Sequence, residues 1–285
     1  MMVTTGKGWK DLRNGAILQC MEAASLGMPF EVWKTRMGRF RSESTIRAFM
    51  MVYRGAGGGM AGVTAFWAGL GPKMVESATK GAVLMSAKES ISDMASRAGL
   101  SPFASGILAG AGGGVCQVTV MGPCTYLVTA TVTGDRSKSV LQIAKETFAS
   151  RGLRGFYPGG TAIAFRQATN WASRQGFTEK TREVISERRY TTKTAKLTPT
   201  EEVLAGVIGG GLSCWNHPFE VARIEMQARA NAGQKHLSML QVFRAVVAES
   251  GVRGLFQGII PRLGLGIWQT LFMVTGAKML RKYME

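Results

Sequence analysis

The amino-acid sequence predicts an all-α membrane protein in which six transmembrane helices form three pseudo-symmetric repeats, with short helices between them. Two sequence elements recur three times along the 285 residues, and six long apolar segments alternate with more polar stretches. Each apolar segment approaches the ~20 residues that an α-helix needs to cross a bilayer. Recurrence of one unit along the whole chain indicates a single architecture built by repetition.

The first recurring element is a proline followed by an acidic and then a basic residue. It reads P-F-E-V-W-K from Pro29 and P-F-E-V-A-R from Pro218, whereas the segment from Pro123 reads P-C-T-Y-L-V. The three prolines are spaced by 94 and 95 residues. Because a proline inside a helix removes a backbone hydrogen bond and kinks the helix, we expect three kinked helices that converge at one end of the molecule.

The second recurring element places an aromatic residue shortly before a glycine. Its glycines are Gly69, Gly159 and Gly258, which are spaced by 90 and 99 residues. Each of them precedes a second long apolar segment. Because two independent markers share nearly the same period, we divide the chain into three repeats, at residues 1–99, 100–197 and 198–285.

Each repeat is therefore expected to contain an odd-numbered and an even-numbered long helix. A short amphipathic stretch between them, such as Leu240–Glu249, predicts one short helix per repeat. Glycines four residues apart, Gly106 with Gly110 and Gly206 with Gly210, are expected to let the odd helices pack closely. The long helices are predicted at residues 15–28, 70–94, 103–122, 160–177, 203–217 and 259–279.

The composition fits helices with one face toward lipid and the other toward water. Charged residues make up 19%, below the ~25% of soluble domains, and the mean hydropathy is +0.06. The formal net charge of +17 suits nucleic acid, anionic lipid or a small anion as partner. The basic residues are scattered rather than gathered in one tail, which argues against a simple nucleic-acid arm.

Nothing in the sequence indicates a metal site, a cofactor or an enzyme. The four cysteines form no CxxC pair, and two histidines are too few for a metal cluster. Small buried hydrophobic residues are the expected role for these cysteines. The sequence also shows no nucleophile with an accompanying base, so we predict no catalytic residues.

The repeated P-x-[D/E]-x-x-[K/R] element, with its aromatic-x-glycine partner, resembles the signature of the mitochondrial carrier family over the whole chain. Segments such as VESATKGAVL, FRQATNWASR and GGGLSCWNHPFEVARIEMQ are similar to a fungal branch of that family that exchanges citrate for 2-oxoglutarate. The resemblance implies a multi-pass antiporter of the mitochondrial inner membrane. It further implies a monomer that works by alternating access, with short helices on the matrix side.

The resemblance also implies a gate on the matrix side, in which the acid of each odd helix pairs with the base of the next repeat. Glu220 and Lys34 form the one complete pair in this sequence. Gln227 lies where the family places a glutamine that braces such a pair.

The other two gate positions depart from the family pattern. Glu31 would face Val128 instead of a base, and Arg223 would face Thr125 instead of an acid. These two positions are therefore expected to be empty of ion pairs. A role for Glu31 and Arg223 as solvated charges in a cavity is an alternative of equal standing.

Equal offsets from the three glycines predict which residues face one another in a central cavity. Offsets of 4, 7, 11 and 15 residues follow i+3/i+4 spacing and so line one face of each even helix. That face carries five basic residues and one acid, Glu76. Ionisable groups at membrane depth normally mark a substrate path. The predicted substrate-binding residues are Glu76, Lys80, Leu84, Arg166, Gln167, Asn170, Arg174, Arg262 and Gln269.

These residue types favour an anion with two or three carboxylates as substrate. Arginine binds a carboxylate through two hydrogen bonds, and lysine supplies a point charge. We expect Lys80 and Arg166 to converge near the membrane midplane, with Gln167 bonding a hydroxyl or oxo group and Glu76 pairing with Lys80. Snorkelling of basic residues to the interface is the alternative, and it best fits Lys73 and Arg262.

Two further partners are expected. In the family, the starts of the even helices hold cardiolipin, which here implies Gly69, Gly159 and Gly258; simple helix capping is the alternative reading. The basic surplus, together with DNA binding described for the same branch, leaves DNA as a possible secondary partner. The basic run Glu187–Lys196 is expected to form a loop that faces away from the matrix, which argues against contact with matrix DNA. A salt-dependent gel shift with purified protein would distinguish DNA binding from transport.

Overall fold

The computed structural model describes residues 6–190 and 197–284, and within these ranges every long element is a helix. The thirteen α-helices are α1 Gly6–Glu22, α2 Met28–Arg39, α3 Thr45–Arg54, α4 Gly59–Thr64, α5 Leu70–Arg97, α6 Pro102–Cys116, α7 Val118–Thr133, α8 Val140–Arg151, α9 Gly160–Tyr190, α10 Pro199–Leu212, α11 His217–Asn231, α12 Met239–Ser250 and α13 Ile259–Met284.

The same succession of helices occurs three times. A broken odd helix (α1 with α2, α6 with α7, α10 with α11) is followed by a short helix (α3, α8, α12) and then by a long even helix (α5, α9, α13). The first repeat adds the short helix α4. The predicted plan of two long helices and one short helix per repeat is thus present in the structure.

The breaks in the odd helices lie just before the prolines rather than at them. The first is a wide turn at Ala23–Gly27, where Ser25 has φ −82° and ψ −119°. The second is a bend of 42° between α6 and α7, ahead of Pro123. The third is a 3-10 turn at Ser213–Asn216. Pro29 and Pro218 lie in the first turns of α2 and α11, where a missing backbone N–H costs no hydrogen bond.

No described helix is by itself both long enough and apolar enough to cross a bilayer. The bent pair Ala104–Cys116 and Val118–Thr133 meets the requirement of length and apolar composition when taken together.

A serine begins each of the short helices α3, α8 and α12. The side chains of Ser44, Ser139 and Ser238 accept hydrogen bonds of 3.3, 3.2 and 3.4 Å from the backbone N–H three residues later. An N-cap of this kind stabilises a helix by about 1 kcal/mol. Spaced by 95 and 99 residues, these serines are a third recurring marker that the sequence analysis overlooked.

The glycines of the second element have left-handed backbones. Gly69, Gly159 and Gly258 have φ of +84°, +76° and +88°, a region in which a side chain is strained. A Cβ atom at each would lie 3.1–3.3 Å from the backbone of the next repeat, at Val128, Arg223 and Lys34 respectively. The three repeats therefore meet head to tail in a ring, and glycine is required by both conformation and space.

We predict that Gly258→Ala lowers the unfolding temperature more than Gly57→Ala does. Both glycines have a positive φ, but only Gly258 has a neighbour, the Lys34 carbonyl oxygen at 3.1 Å. The strained conformation alone costs about 1–3 kcal/mol, and the contact adds to it. Unfolding of purified protein can be followed with a thiol dye that reports exposure of the buried Cys124 and Cys214. Equal losses in the two variants would contradict the close contact between repeats.

The predicted glycine pairing in the second repeat is wrong. A Cβ at Gly106 or Gly110 would meet no atom within 4 Å. Close packing occurs instead at Gly113, 3.2 Å from the Leu84 carbonyl oxygen, and at Gly114, 3.3 Å from that of Gln167. Two adjacent glycines allow this close packing, because α6 lies between α5 and α9 and approaches both helices at the same level.

Candidate functional site

A cavity of about 520 Å³ lies between the three repeats and is lined by residues of each. All nine residues predicted to bind substrate line this cavity. The equal-offset argument fails at one position, because Ile163 is fully buried in the protein and does not contact the cavity. The even helices thus present the predicted faces to one common space.

Basic side chains outnumber acidic ones around the cavity. Seven basic residues and four carboxylates line it, which leaves a surplus of three positive charges among the described residues. The basic residues are Lys34, Lys73, Lys80, Arg166, Arg174, Arg223 and Arg262. The carboxylates are Glu22, Glu31, Glu76 and Glu220.

Three of these cations lack a close carboxylate. Arg174 makes no hydrogen bond or ion pair with any residue that the structure describes. Arg262 donates to Asn216 and lies 3.2 Å from Nδ1 of His217, both uncharged acceptors. The Lys80 Nζ atom is 3.9 Å from the Glu76 carboxylate, beyond hydrogen-bond length. These three side chains are available to an anion in the cavity.

The snorkelling alternative for Lys73 and Arg262 is wrong, because both side chains point into the cavity. Lys73 is buried, and its Nζ atom lies 3.2 Å from Glu76 and 3.9 Å from Glu31. Glu76 therefore has Lys73, rather than Lys80, as its nearer partner. A buried lysine is stabilised by such a carboxylate, which explains why it does not extend to solvent.

The amide of Gln167 is already engaged by the protein. Its Nε2 donates a 2.6 Å hydrogen bond to Oε1 of Gln117, which also lies 3.3 Å from Nε1 of Trp171. Gln117 in turn donates to the backbone carbonyl of Lys80 on α5. Gln117, which the sequence analysis did not single out, therefore ties the second repeat to the cavity face of the first.

The floor of the cavity is a buried cluster of two acids and two bases. The predicted contact between Glu220 and Lys34 is present, at 2.7 Å. Lys34 also lies 2.8 Å from Glu31, and Arg223 lies 2.8 Å from Glu220 and 3.8 Å from Glu31. All four side chains are at most 7% exposed, so the alternative that Glu31 and Arg223 are solvated charges is wrong. Alternating charges let the cluster stay ionised in a buried place.

The position facing Glu31 is filled rather than empty. Val128 packs with Val132 of its own repeat and with Met28 and Val32 of the first repeat in one buried apolar cluster. These valines stand where the family places a base and a bracing residue. Repeats one and two therefore meet through apolar contact instead of an ion pair.

The position facing Arg223 is filled by neutral hydrogen bonds. Gln227 is fully buried, and its Oε1 accepts from Arg223 at 2.8 Å and from the Thr129 hydroxyl at 2.9 Å. Its Nε2 donates to the Thr125 hydroxyl at 2.9 Å. The predicted bracing glutamine thus links repeats two and three in place of a salt bridge.

A second ionic cluster, which the sequence analysis missed, joins repeats one and three below the first. Glu225 of α11 lies 2.7 Å from Arg39 and 2.9 Å from Arg41, and it also pairs with Arg229 of its own helix. Arg41 additionally contacts Glu249 of α12. Repeats three and one therefore meet through two ionic clusters, whereas repeats one and two meet near Val128 through apolar contacts. Repeats two and three combine the neutral hydrogen bonds of Gln227 with ion pairs such as Arg166–Glu220.

The basic run after α9 differs from the expected loop. Residues 187–190 form the last turn of α9, and Arg189 pairs with Glu201 of α10 at 2.7 Å. The first four residues of the basic run are therefore helical, and an ion pair joins this end of α9 to α10. Lys193 and Lys196 lie outside the described residues.

Comparison with known proteins agrees with these features. Residues 5–98, 100–189 and 195–285 each match the mitochondrial carrier protein family. The citrate/oxoglutarate carrier protein of Saccharomyces cerevisiae is 38% identical over 284 residues, covering 94% of this chain and 88% of that protein.

Two other relatives are more distant. The mitochondrial citrate transporter B of Aspergillus niger is 28% identical over 92% of this chain and 88% of its own length. The tricarboxylate transport protein of Saccharomyces cerevisiae is 23% identical over 85% of this chain and 84% of its own. With the family matching nearly every residue in three successive segments, the chain belongs to the mitochondrial carrier family.

Proposed function

We propose that this protein is a multi-pass antiporter of the mitochondrial inner membrane that exchanges citrate for 2-oxoglutarate by alternating access. The observation that carries the proposal is the surplus of three positive charges around one cavity. A trianion leaves its hydration shell on entering such a cavity, and only fixed cations can replace it. The family is a family of transporters, so transport is proposed rather than catalysis.

The cations without a carboxylate at hydrogen-bond distance supply the proposed contacts to the substrate. Lys80, Arg174 and Arg262 lie on three different even helices, α5, α9 and α13, and none is neutralised by a close carboxylate. An anion with several carboxylates can reach more than one of them and so draw the repeats together. Asn170 and Gln269 also line the cavity and are proposed to bond a hydroxyl or oxo group. The cavity volume of about 520 Å³ falls in the ~300–1,000 Å³ range of small-molecule sites.

The names of the relatives support this class of substrate. Three of them, from two fungi, are named for citrate, oxoglutarate or tricarboxylate. The one named for both citrate and oxoglutarate is also the most similar of the three.

The remaining site residues are proposed to serve the gate and the lipid. Glu31, Lys34, Glu220, Arg223 and Gln227 close the floor of the cavity and are proposed to form the matrix gate. The turns at Gly69, Gly159 and Gly258, which begin the even helices, are proposed to hold cardiolipin. A single chain encloses the cavity, which supports a monomer as the working unit.

Transport by purified protein in liposomes tests the proposal. Vesicles preloaded with citrate, 2-oxoglutarate, malate, phosphate, ATP or no anion would be offered labelled citrate. We expect rapid uptake only against internal citrate or 2-oxoglutarate, because the exchanger needs a counter-anion that fits the same cations. Uptake into vesicles without an internal anion would contradict antiport, and faster exchange against ATP would contradict the substrate class.

A further inference from the structure

Glu22, at the end of α1, is a buried carboxylate that lines the cavity without a cation beside it. The residue is 4% exposed. Its Oε1 atom has no hydrogen-bond partner, and its Oε2 atom accepts only a long bond of 3.5 Å from Nε2 of Gln269. No basic nitrogen of the described residues lies within 4.0 Å of it.

The other three cavity carboxylates are all ion-paired. Glu31 lies 2.8 Å from Lys34, and Glu76 lies 3.2 Å from Lys73. Glu220 contacts three basic residues within 3.2 Å. Close cations hold these three in the ionised form, whereas Glu22, buried without a paired cation, is the one of the four that is easiest to protonate.

The break in the first odd helix holds Glu22 in this place. A Cβ atom at Gly27 would lie 2.5 Å from the unpartnered Oε1, so the carboxyl group lies over this glycine. The Glu22 carbonyl oxygen accepts a 2.7 Å bond from Ser25, whose hydroxyl in turn accepts from Nε1 of Trp268. The turn thus fixes the carboxyl group against α13 with one oxygen free to carry a proton.

Charged groups on each neighbouring helix make the protonation of Glu22 depend on what the cavity contains. Lys73 and Lys80 of α5 line the same cavity and attract its ionised form, whereas the carboxylate of Glu31 on α2, also in the cavity, repels it. Gln269 of α13 is the one neutral group that bonds it. An anion that neutralises the two lysines removes their support, and a trianion removes more of it than a dianion.

We propose that Glu22 binds a proton when the cavity holds the trianion and releases it when the cavity holds the dianion. The inference rests on the proposed exchange of citrate for 2-oxoglutarate. With Glu22 ionised the cavity surplus is three positive charges, so a dianion leaves one. With Glu22 protonated the surplus is four, so a trianion also leaves one. The two loaded forms then carry the same charge, and one proton crosses with each citrate.

Proton movement in liposomes tests the proposal, at an alkaline pH where citrate carries all three charges. External citrate exchanging for internal 2-oxoglutarate is expected to acidify the lumen, read by an enclosed pH dye, by roughly one proton per citrate. Exchange of 2-oxoglutarate for itself should move none. Citrate exchange without proton movement would overturn the inference and leave the proposed function standing, whereas absence of any citrate exchange would remove both.

Glu22→Gln, which keeps the shape of the side chain but stays neutral, assigns the proton to its site. Citrate accumulation by this variant is expected to shift about 50-fold at ~100 mV, the equivalent of ~2.3 kcal/mol for one uncompensated charge, whereas the wild type shifts little. Its lumen should not acidify. Glu22→Asp should restore the acidification, and Glu89→Gln, the same change at an exposed residue of α5, should retain it. Undiminished acidification by Glu22→Gln would place the proton on the substrate instead and overturn the assignment.

Discussion

Exchange of citrate in liposomes is expected to fall by about 30-fold or more when Arg166 is replaced by alanine. The guanidinium lines the cavity, where its side chain is 17% exposed, and its Nε atom lies 3.2 Å from Glu220 of the proposed gate. It therefore touches both the space for the anion and the cluster beneath that space. Loss of one buried charge partner costs about 2–5 kcal/mol of binding.

Arg188→Ala is the matched control, because Arg188 lies on the same helix, α9, but is exposed at its last turn. Its exchange rate should stay near that of the wild type. Arg166→Lys should keep part of the activity, since it keeps the charge but loses the second hydrogen-bond donor. Near-normal exchange by a folded Arg166→Ala protein would reject Arg166 as a substrate residue.

The cavity face could be predicted from the sequence because helix geometry alone fixes it. Once Gly69, Gly159 and Gly258 are aligned, residues at i+3/i+4 spacing must share a face, and the structure places those residues around one cavity. The exception, Ile163, shows the limit of the argument. Equal offsets place residues at one level, but small differences in helix rotation decide which side chain reaches the cavity.

The starts of the short helices could also have been predicted from the sequence. A serine three residues before a glutamine, as at Ser139 and Ser238, is typical of a helix start, and Ser44 is a serine cap of the same kind with Arg47 in place of the glutamine. Three such caps at nearly constant spacing would have located α3, α8 and α12 to the residue. The kinks were placed less well, because Pro29 and Pro218 fit into the first turn of a helix and the break falls before them, whereas Pro123 lies inside α7 and the break falls six residues earlier, at Gln117.

The contacts of the degenerate second repeat could not be predicted from its own sequence. In the sequence, Val128 stands at a position where a basic residue is expected. Only the structure shows that Met28 and Val32 of another repeat pack against it. Thr125 reads as the loss of an acid, yet it accepts a hydrogen bond from Gln227. What replaces a missing charge depends on residues about a repeat away in the chain, and the spacing of motifs carries no information on those contacts.

The same asymmetry makes the one complete ion pair the most vulnerable part of the proposed gate. Glu220 compensates Lys34, Arg166 and Arg223 within 3.2 Å. Glu220→Gln is expected to leave Lys34 and Arg223 with Glu31 as their carboxylate partner and Arg166 without one, and to destabilise the closed form by about 3–5 kcal/mol. Lys34→Met should have a smaller effect, because Glu31 retains Lys73 and Arg223 at 3.9 and 3.8 Å.

The double variant Lys34→Met with Glu220→Gln decides whether the two residues act as a pair. Removing one charge of each sign restores the balance of the cluster, so the double variant should be more stable than the sum of the two losses predicts, by about 1–3 kcal/mol. Thermal unfolding, read from exposure of the buried Cys124 and Cys214, measures all four proteins. Lys138→Met with Glu146→Gln is the control, since that pair is 2.7 Å apart but 38–47% exposed and should show a coupling below about 1 kcal/mol. Strict additivity at Lys34 and Glu220 would mean that their 2.7 Å contact does not hold the gate closed.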